Sequence, residues 1–188
     1  MSDSALETAF GTALATDFLA STLSRYRQYD QLAIDAITQC EDVDLVREYA
    51  PGTNSIAVIV KHMRGNMRSR WTDFLTSDGE KPDRQRDQEF DEETAATREV
   101  VLQWWTEGYA VCLAAVAALR PNDLIRTVTI RSQPMSVVDA LHRNLAHTAY
   151  HVGQIVMLAK TFRKATWRTL SIPRGGSEVF NRTLQDRR

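Results

Sequence analysis

Four stretches of this sequence repeat apolar residues at the period of an α-helix, and a chain built from such stretches has few ways to bury them. The first runs from about Glu7 to Cys40, with Phe18, Thr22, Tyr26, Tyr29, Ala33, Ala36, Ile37 and Cys40 on one stripe. Pro51-Gly52 is a turn signal. Behind it, Asn54 or Ser55 can cap a second helix striped by Ile56, Ile59, Val60, Met63, Met67, Trp71 and Phe74, ending near Ser77-Asp78-Gly79. The third begins near Asp91, where Glu92 and Glu93 suit the positive end of a helix dipole. Its core face is Val101, Trp104, Gly108, Val111, Cys112, Ala115 and Leu119, and Pro121-Asn122 stops it. The fourth follows Pro134, with Ser136 as N-cap and Asp139 three residues on, and runs to about Phe162. Four such helices predict an all-α, antiparallel four-helix bundle.

The connections are unequal. "SDGEKPDRQRDQEF" is long for a bundle loop, and long loops are more often functional or mobile. "LIRTVTIRSQP" is the one β-like piece, with Val128 and Ile130 alternating with Thr127, Thr129 and Arg131. The tail after Phe162 is rich in Pro, Gly and charge, yet carries Trp167, Leu170, Ile172 and Phe180, so it is expected to pack on something. One domain over residues 1–188 is the expectation: a bundle over about 1–162 and a packed tail over 163–188.

The net charge of −1 points to neither nucleic acid nor an anionic membrane as partner. Residues 78–93 are acidic and 163–188 basic, which reads as two solvated surface segments. No apolar run approaches the roughly 20 residues that span a bilayer, and "MSDSALETAF" has no basic-then-apolar signal pattern. Cys40 and Cys112 form no CxxC pair; one disulfide is the alternative, but two isolated cysteines at helical apolar positions are expected as buried thiols in a reducing compartment. A cytoplasmic protein is expected.

"HTAYHVGQI" sets His147 and His151 one turn apart on one face of the fourth helix. That face also holds Asn144, Ile155 and Leu158, opposite Val138, Leu141, Leu145, Ala149, Val152 and Val156. A helix apolar on two sides needs cover on both; a second copy of the chain is the simplest cover, so a homodimer is expected, with cover by the C-terminal tail as the alternative. The two histidines are either neutral core residues or part of a metal site. His62, on the edge of the second helix's stripe, is the candidate third ligand; His142 lies on the other side of the fourth helix. Three imidazoles suit zinc or nickel and leave a coordination position open, the mark of a catalytic site. An ion there ionises a bound water or thiol near neutral pH. Other chemistries lack their residues. "HTAYH" has no Glu for a metalloprotease, and Asn144 stands where a di-iron bundle needs Glu. No phosphate loop and no GxSxG occurs.

"NLAHTAYHVGQIVML", with its Gly153-Gln154-Ile155 step, resembles the last-helix motif of the DinB/YfiT-like superfamily. "SIAVIVKHMRGNMRSRWTDFLTSDGEKP" and the tail "WRTLSIPRGGSEVFN" resemble a DinB branch of unknown function. The resemblance implies an up-down-down-up bundle, dimeric, holding a divalent metal on His62, His147 and His151. It further implies a thiol S-transferase or isomerase that uses a low-molecular-weight thiol, such as bacillithiol or mycothiol, on a small-molecule substrate. A hydrolase using the same site on water, and a non-catalytic metal-binding stress-response dimer, are the alternatives. Asn66, one turn beyond His62, is a candidate to orient a water or substrate group, and Arg70 to meet a carboxylate bidentately. Gln154 is expected to support a ligand or make a helix contact. The 77–90 loop and the basic tail are candidates to line or cover the site.

Overall fold

A computed structural model describes residues 3–185, so Met1, Ser2 and residues 186–188 of the expected domain lie outside the described residues. Its helices are α1 (Asp3–Thr38), α2 (Asp42–Val46), α3 (Ile56–Trp71), α4 (Arg98–Ala118), α5 (Val137–Arg163) and α6 (Ser177–Gln185). A single antiparallel hairpin, β1 (Thr127–Ile130) and β2 (Gln133–Ser136), joins α4 to α5.

Contacts between the helices fix their directions. Along α1, Phe18 meets His142, Tyr26 meets Asn144, and Gln39 meets the chain at Arg168, so α1 and α5 run parallel. Trp71 at the end of α3 reaches Asn144 while His62 reaches His147, so α3 opposes α5. On α4, Arg98 reaches the Cys40 carbonyl and Tyr109 that of Tyr26, so α4 opposes α1. The bundle is therefore up-down-down-up, with α3 and α4 parallel to each other. Parallel neighbours cannot be joined by a tight turn, which accounts for the long 72–97 connection.

The sequence stripes seat the core. All seven apolar positions expected on α3 are buried. Ser55 and Ser136 cap α3 and α5 through hydrogen bonds from the Val58 and Asp139 N–H groups. On α4 the buried face is offset from the expected one: Trp105 and Tyr109 are inside, whereas Trp104, Val111 and Ala115 are half-buried. Polar anchors explain the rotation, because the Trp105 indole donates to Asp30 at 2.8 Å and the Tyr109 hydroxyl to the Tyr26 carbonyl at 2.9 Å. The start of α4 also moves, from Asp91 to Arg98, since Thr97 makes the cap to the Val100 N–H. Likewise α3 stops at Trp71 and gives way to turns before Ser77.

α4, at 21 residues, is long and apolar enough to cross a membrane by length and composition, contrary to the expectation for the chain. In this fold it is a core helix, with Trp105, Tyr109, Cys112 and Val116 buried. Both cysteines are buried and free. Burial pushes the Cys40 thiol up to about 12 and that of Cys112 well above its ordinary value.

The second apolar face of α5, assigned to a partner chain from sequence, is covered within the molecule. Asn144, Thr148, His151 and Ile155 are buried on the side that meets α3. The tail splits. Trp167 and Leu170 pack against the core, and Gln39 clamps Arg168 through two backbone hydrogen bonds. Ile172 and Phe180 are exposed, and residues 177–185 form the unanticipated α6.

Candidate metal centre

Three imidazoles converge where α3 and α5 face each other. Ligand-capable nitrogens of His62, His147 and His151 all lie within 4.8 Å of one another. His62 and His151 are buried and His147 half-buried. His62 Nε2 stands 3.2 Å from His147 Nε2. Two nitrogens bound to one tetrahedral ion at about 2.0–2.1 Å would be roughly 3.3–3.4 Å apart, so this spacing fits a shared ion.

Protonation is arranged to match. The His62 Nδ1–H donates to Glu89 Oε2 at 2.9 Å, and the His151 Nδ1–H to Gln154 Oε1 at 2.8 Å. With each proton held at Nδ1, the Nε2 lone pair of both rings is left for an ion. Burial, then repulsion from the neighbouring imidazoles, lowers His147 to about 3. Burial and His62 lower His151 to about 4, so both rings are neutral at physiological pH. His147 Nδ1 is buried with no hydrogen-bond partner.

Glu89 was not visible as a site residue in the sequence. It comes from the 72–97 connection, 27 positions from His62. Arg84 grips it with both arms of its guanidinium, Nε to Oε1 and a terminal nitrogen to Oε2, each at 2.8 Å. Burial alone would raise the Glu89 carboxyl, but Arg84 and His62 outweigh it and hold it below the usual range. It therefore stays an acceptor for His62. Gly65 permits the approach, because a Cβ there would overlap the Glu89 carboxylate. Phe90 lies on the His62 ring at a centroid distance of 4.8 Å.

Arg70, expected to make a bidentate carboxylate pair, instead bonds the Gly79 carbonyl and one oxygen of Glu80; the two-armed pair belongs to Arg84. Asn66 is buried in a hydrogen-bonded core network. Its Oδ1 accepts from Asn144 Nδ2 at 3.1 Å, while Asn144 Oδ1 accepts from the Tyr26 hydroxyl at 3.0 Å and the Trp71 indole at 3.2 Å. Asn144 thereby ties α1, α3 and α5 together one turn from the histidines. Asn66 and Arg70 both line a cavity of about 310 Å³ that opens beside the three imidazoles. His142 lies away from the cluster, edge-on to Phe18.

The 77–90 loop lines this cavity through Arg84 and Arg86, with Phe90 beside them; the described residues of the basic tail do not. Asp78 fastens that loop to the hairpin. Its Oδ1 accepts from the backbone N–H groups of Glu80 at 2.7 Å and Arg131 at 2.9 Å, and its Oδ2 from Ser132 at 2.8 Å. Arg131 and Ser132 both have positive φ, at 55° and 58°, as the tight hairpin requires. Neither is glycine, and the Asp78 carboxylate offsets their strain. So the segment expected to be a solvated acidic surface is built into the site.

A family described as "Protein of unknown function (DUF1572)" matches residues 13–176. No curated protein matches the chain.

Proposed function

The chain belongs to the DUF1572 family, and from that premise we propose that it is a divalent-metal-dependent enzyme on a DinB-like bundle, of the thiol S-transferase type. The observation that carries this reading is the clustering of three imidazoles, with the Nδ1–H groups of His62 and His151 committed to Glu89 and Gln154 and His62 Nε2 set 3.2 Å from His147 Nε2. A buried histidine cluster serving only packing has no need of an ionised carboxylate and an amide to set its tautomers. Zinc or nickel suits three imidazoles, and such an ion lowers the pKa of a thiol or water in its open position.

The chain's own residues do the rest. Glu89, anchored by Arg84, orients His62, and Gln154 orients His151. Asn66, Trp71 and Phe90 form walls that hold a small substrate against the imidazoles and exclude water. We also propose a homodimer through the side of α5 that exposes Tyr150 and Met157, to be tested by sedimentation equilibrium.

The test has two stages. Protein purified without a histidine tag is assayed for metal, and one ion per chain in the wild type with none in His151→Ala supports the site. Metal-free wild type under metal-replete growth overturns it. Thiol consumption is then followed with a panel of electrophiles. Turnover that depends on the ion supports the transferase, ester hydrolysis without a thiol assigns a hydrolase, and inertness in both assigns a metal binder.

A further inference from the structure

The cavity beside the histidines is lined by five arginines, Arg70, Arg84, Arg86, Arg131 and Arg143, and by no aspartate or glutamate among the described residues. Carboxylates behind the wall account for part of this charge. Glu80 serves Arg70 at 2.9 Å and Arg131 at 3.1 Å, and Glu89 serves Arg84. Arg86 lies over the Phe90 ring at 5.0 Å, and its one carboxylate partner among the described residues is Asp87, fully exposed and 3.8 Å away. Arg143 has no ion pair or hydrogen bond among the described residues. It stands one turn before His147 on α5 and shares the cavity wall with it.

The walls are not uniformly polar. Trp71, Phe74, Phe90 and Ile130 supply an apolar side. Arginine at the rim of a cavity that also carries apolar lining is a recognition pattern for an anion on an apolar body. We propose that this cavity binds a small carboxylate with an apolar, aromatic-sized body, Arg143 holding the carboxylate and the Trp71–Phe90 wall the rest. The proposal deepens the metal-enzyme reading by naming a substrate class for the same site, and it rests on that reading only for the ion. A carboxylate is favoured over a phosphate because the aromatic side of the cavity would be left facing water by a bare tetrahedral anion.

Calorimetric titration tests it, using benzoate, benzamide and inorganic phosphate on zinc-loaded and on metal-stripped protein. Benzoate is expected to bind both forms, about tenfold more tightly than benzamide, the scale of one charge-assisted hydrogen bond. Arg143→Gln should bring benzoate down to the benzamide level and leave benzamide and zinc content unchanged. Arg143 is exposed and supports no other group, so the variant keeps its fold. Equal binding of benzoate and benzamide, no binding of benzoate, or benzoate binding unchanged in Arg143→Gln each overturns the proposal. Benzoate binding that needs zinc and ignores Arg143 places the anion on the ion and also overturns it. Phosphate binding more tightly than benzoate overturns the apolar-body assignment. Failure of the protein to take up zinc sinks the metal reading alone, since the metal-stripped titration still decides this one.

Discussion

α3 lies against two long helices, α4 and α5, and it meets them in opposite ways. Against α4 it packs closely along its length, with Gly108 set so near the α3 backbone that a Cβ would lie 2.7 Å from Arg64 Cα. Against α5 it touches far less, and the gap holds three imidazoles, an asparagine network and a cavity. One helix thus serves as both a structural wall and a site wall. The lesson is that the opening is made by chemistry, not by loose packing: polar side chains of Asn66, Asn144 and the histidines hold α3 and α5 apart while bonding them together. The closed side is secured by a missing side chain.

Substitutions can separate the two sides. The largest effect is expected from His151→Ala on the open side. Metal affinity should fall by at least about a hundredfold, beyond what loss of an outer partner costs, while thermal stability of the metal-free chain changes little. Retained metal would mean that the open side is not a site. Next comes Gly108→Val on the closed side, which forces two helix backbones apart and should cost about 3 kcal/mol in chemical unfolding. Folded Gly108→Val protein should still load metal; if it does not, the two sides are coupled rather than distinct.

Glu89→Gln and Gly65→Ala are expected to act alike, weakening metal binding by about ten- to a hundredfold through the orientation of His62. Isothermal titration with zinc would show this, and a Gly65→Ala protein that binds normally would break the argument that Glu89 needs that space. A smaller effect belongs to Asp78. Backbone hydrogen bonds from Glu80 and Ser132 hold its carboxyl well below the ordinary 3.8. A lowered folded pKa adds stability that is present above the unfolded value and is lost as pH falls through the folded one. Asp78→Asn should therefore cost about 1 kcal/mol at neutral pH, discounted for solvent exposure, and the difference should shrink below about pH 4. A difference that grows on acidification would contradict it. The faintest signal comes from the two buried thiols: Cys40 and Cys112, with raised pKa values, should not react with Ellman's reagent at pH 8 until the chain unfolds.

The scaffold could be read from the sequence because burial leaves a periodic trace. Ser55 and Ser136 announced two helix starts, and the four-residue spacing of His147 and His151 survives into the fold unchanged. His62 was found because it lies on the edge of an apolar stripe, where its ring can turn inward between helices. Glu89 and Arg84 left no such trace, since a loop has no period and their partner lies on another element. The false start of α4 at Asp91 has a similar cause. Glu92 and Glu93 look like a first turn, but Lys61 bonds the Asp91 carbonyl to α3 at 2.8 Å, and residues 91–97 are irregular rather than helical. Spacing put Trp104 on the core face of the third helix; the acceptor on Asp30, far away in sequence, takes Trp105 inside instead. Coverage of the α5 histidine face by α3 could not be told from coverage by another copy, because periodicity records that a face is covered and not by what.

At 36 residues α1 is about 54 Å long, against about 24 Å for α3, so it overhangs the bundle. Its turns from Glu7 to Thr16 are almost wholly exposed, with Phe10 and Leu14 in solvent, whereas Ala33, Ala36 and Ile37 are completely buried. One unbroken rod thus spans two thermodynamic regimes: its early amides are protected only by local helix–coil balance, its late ones by the global unfolding free energy. Deuterium uptake along this single helix should fall by orders of magnitude from its first turns to its last, a graded clock inside one element of secondary structure.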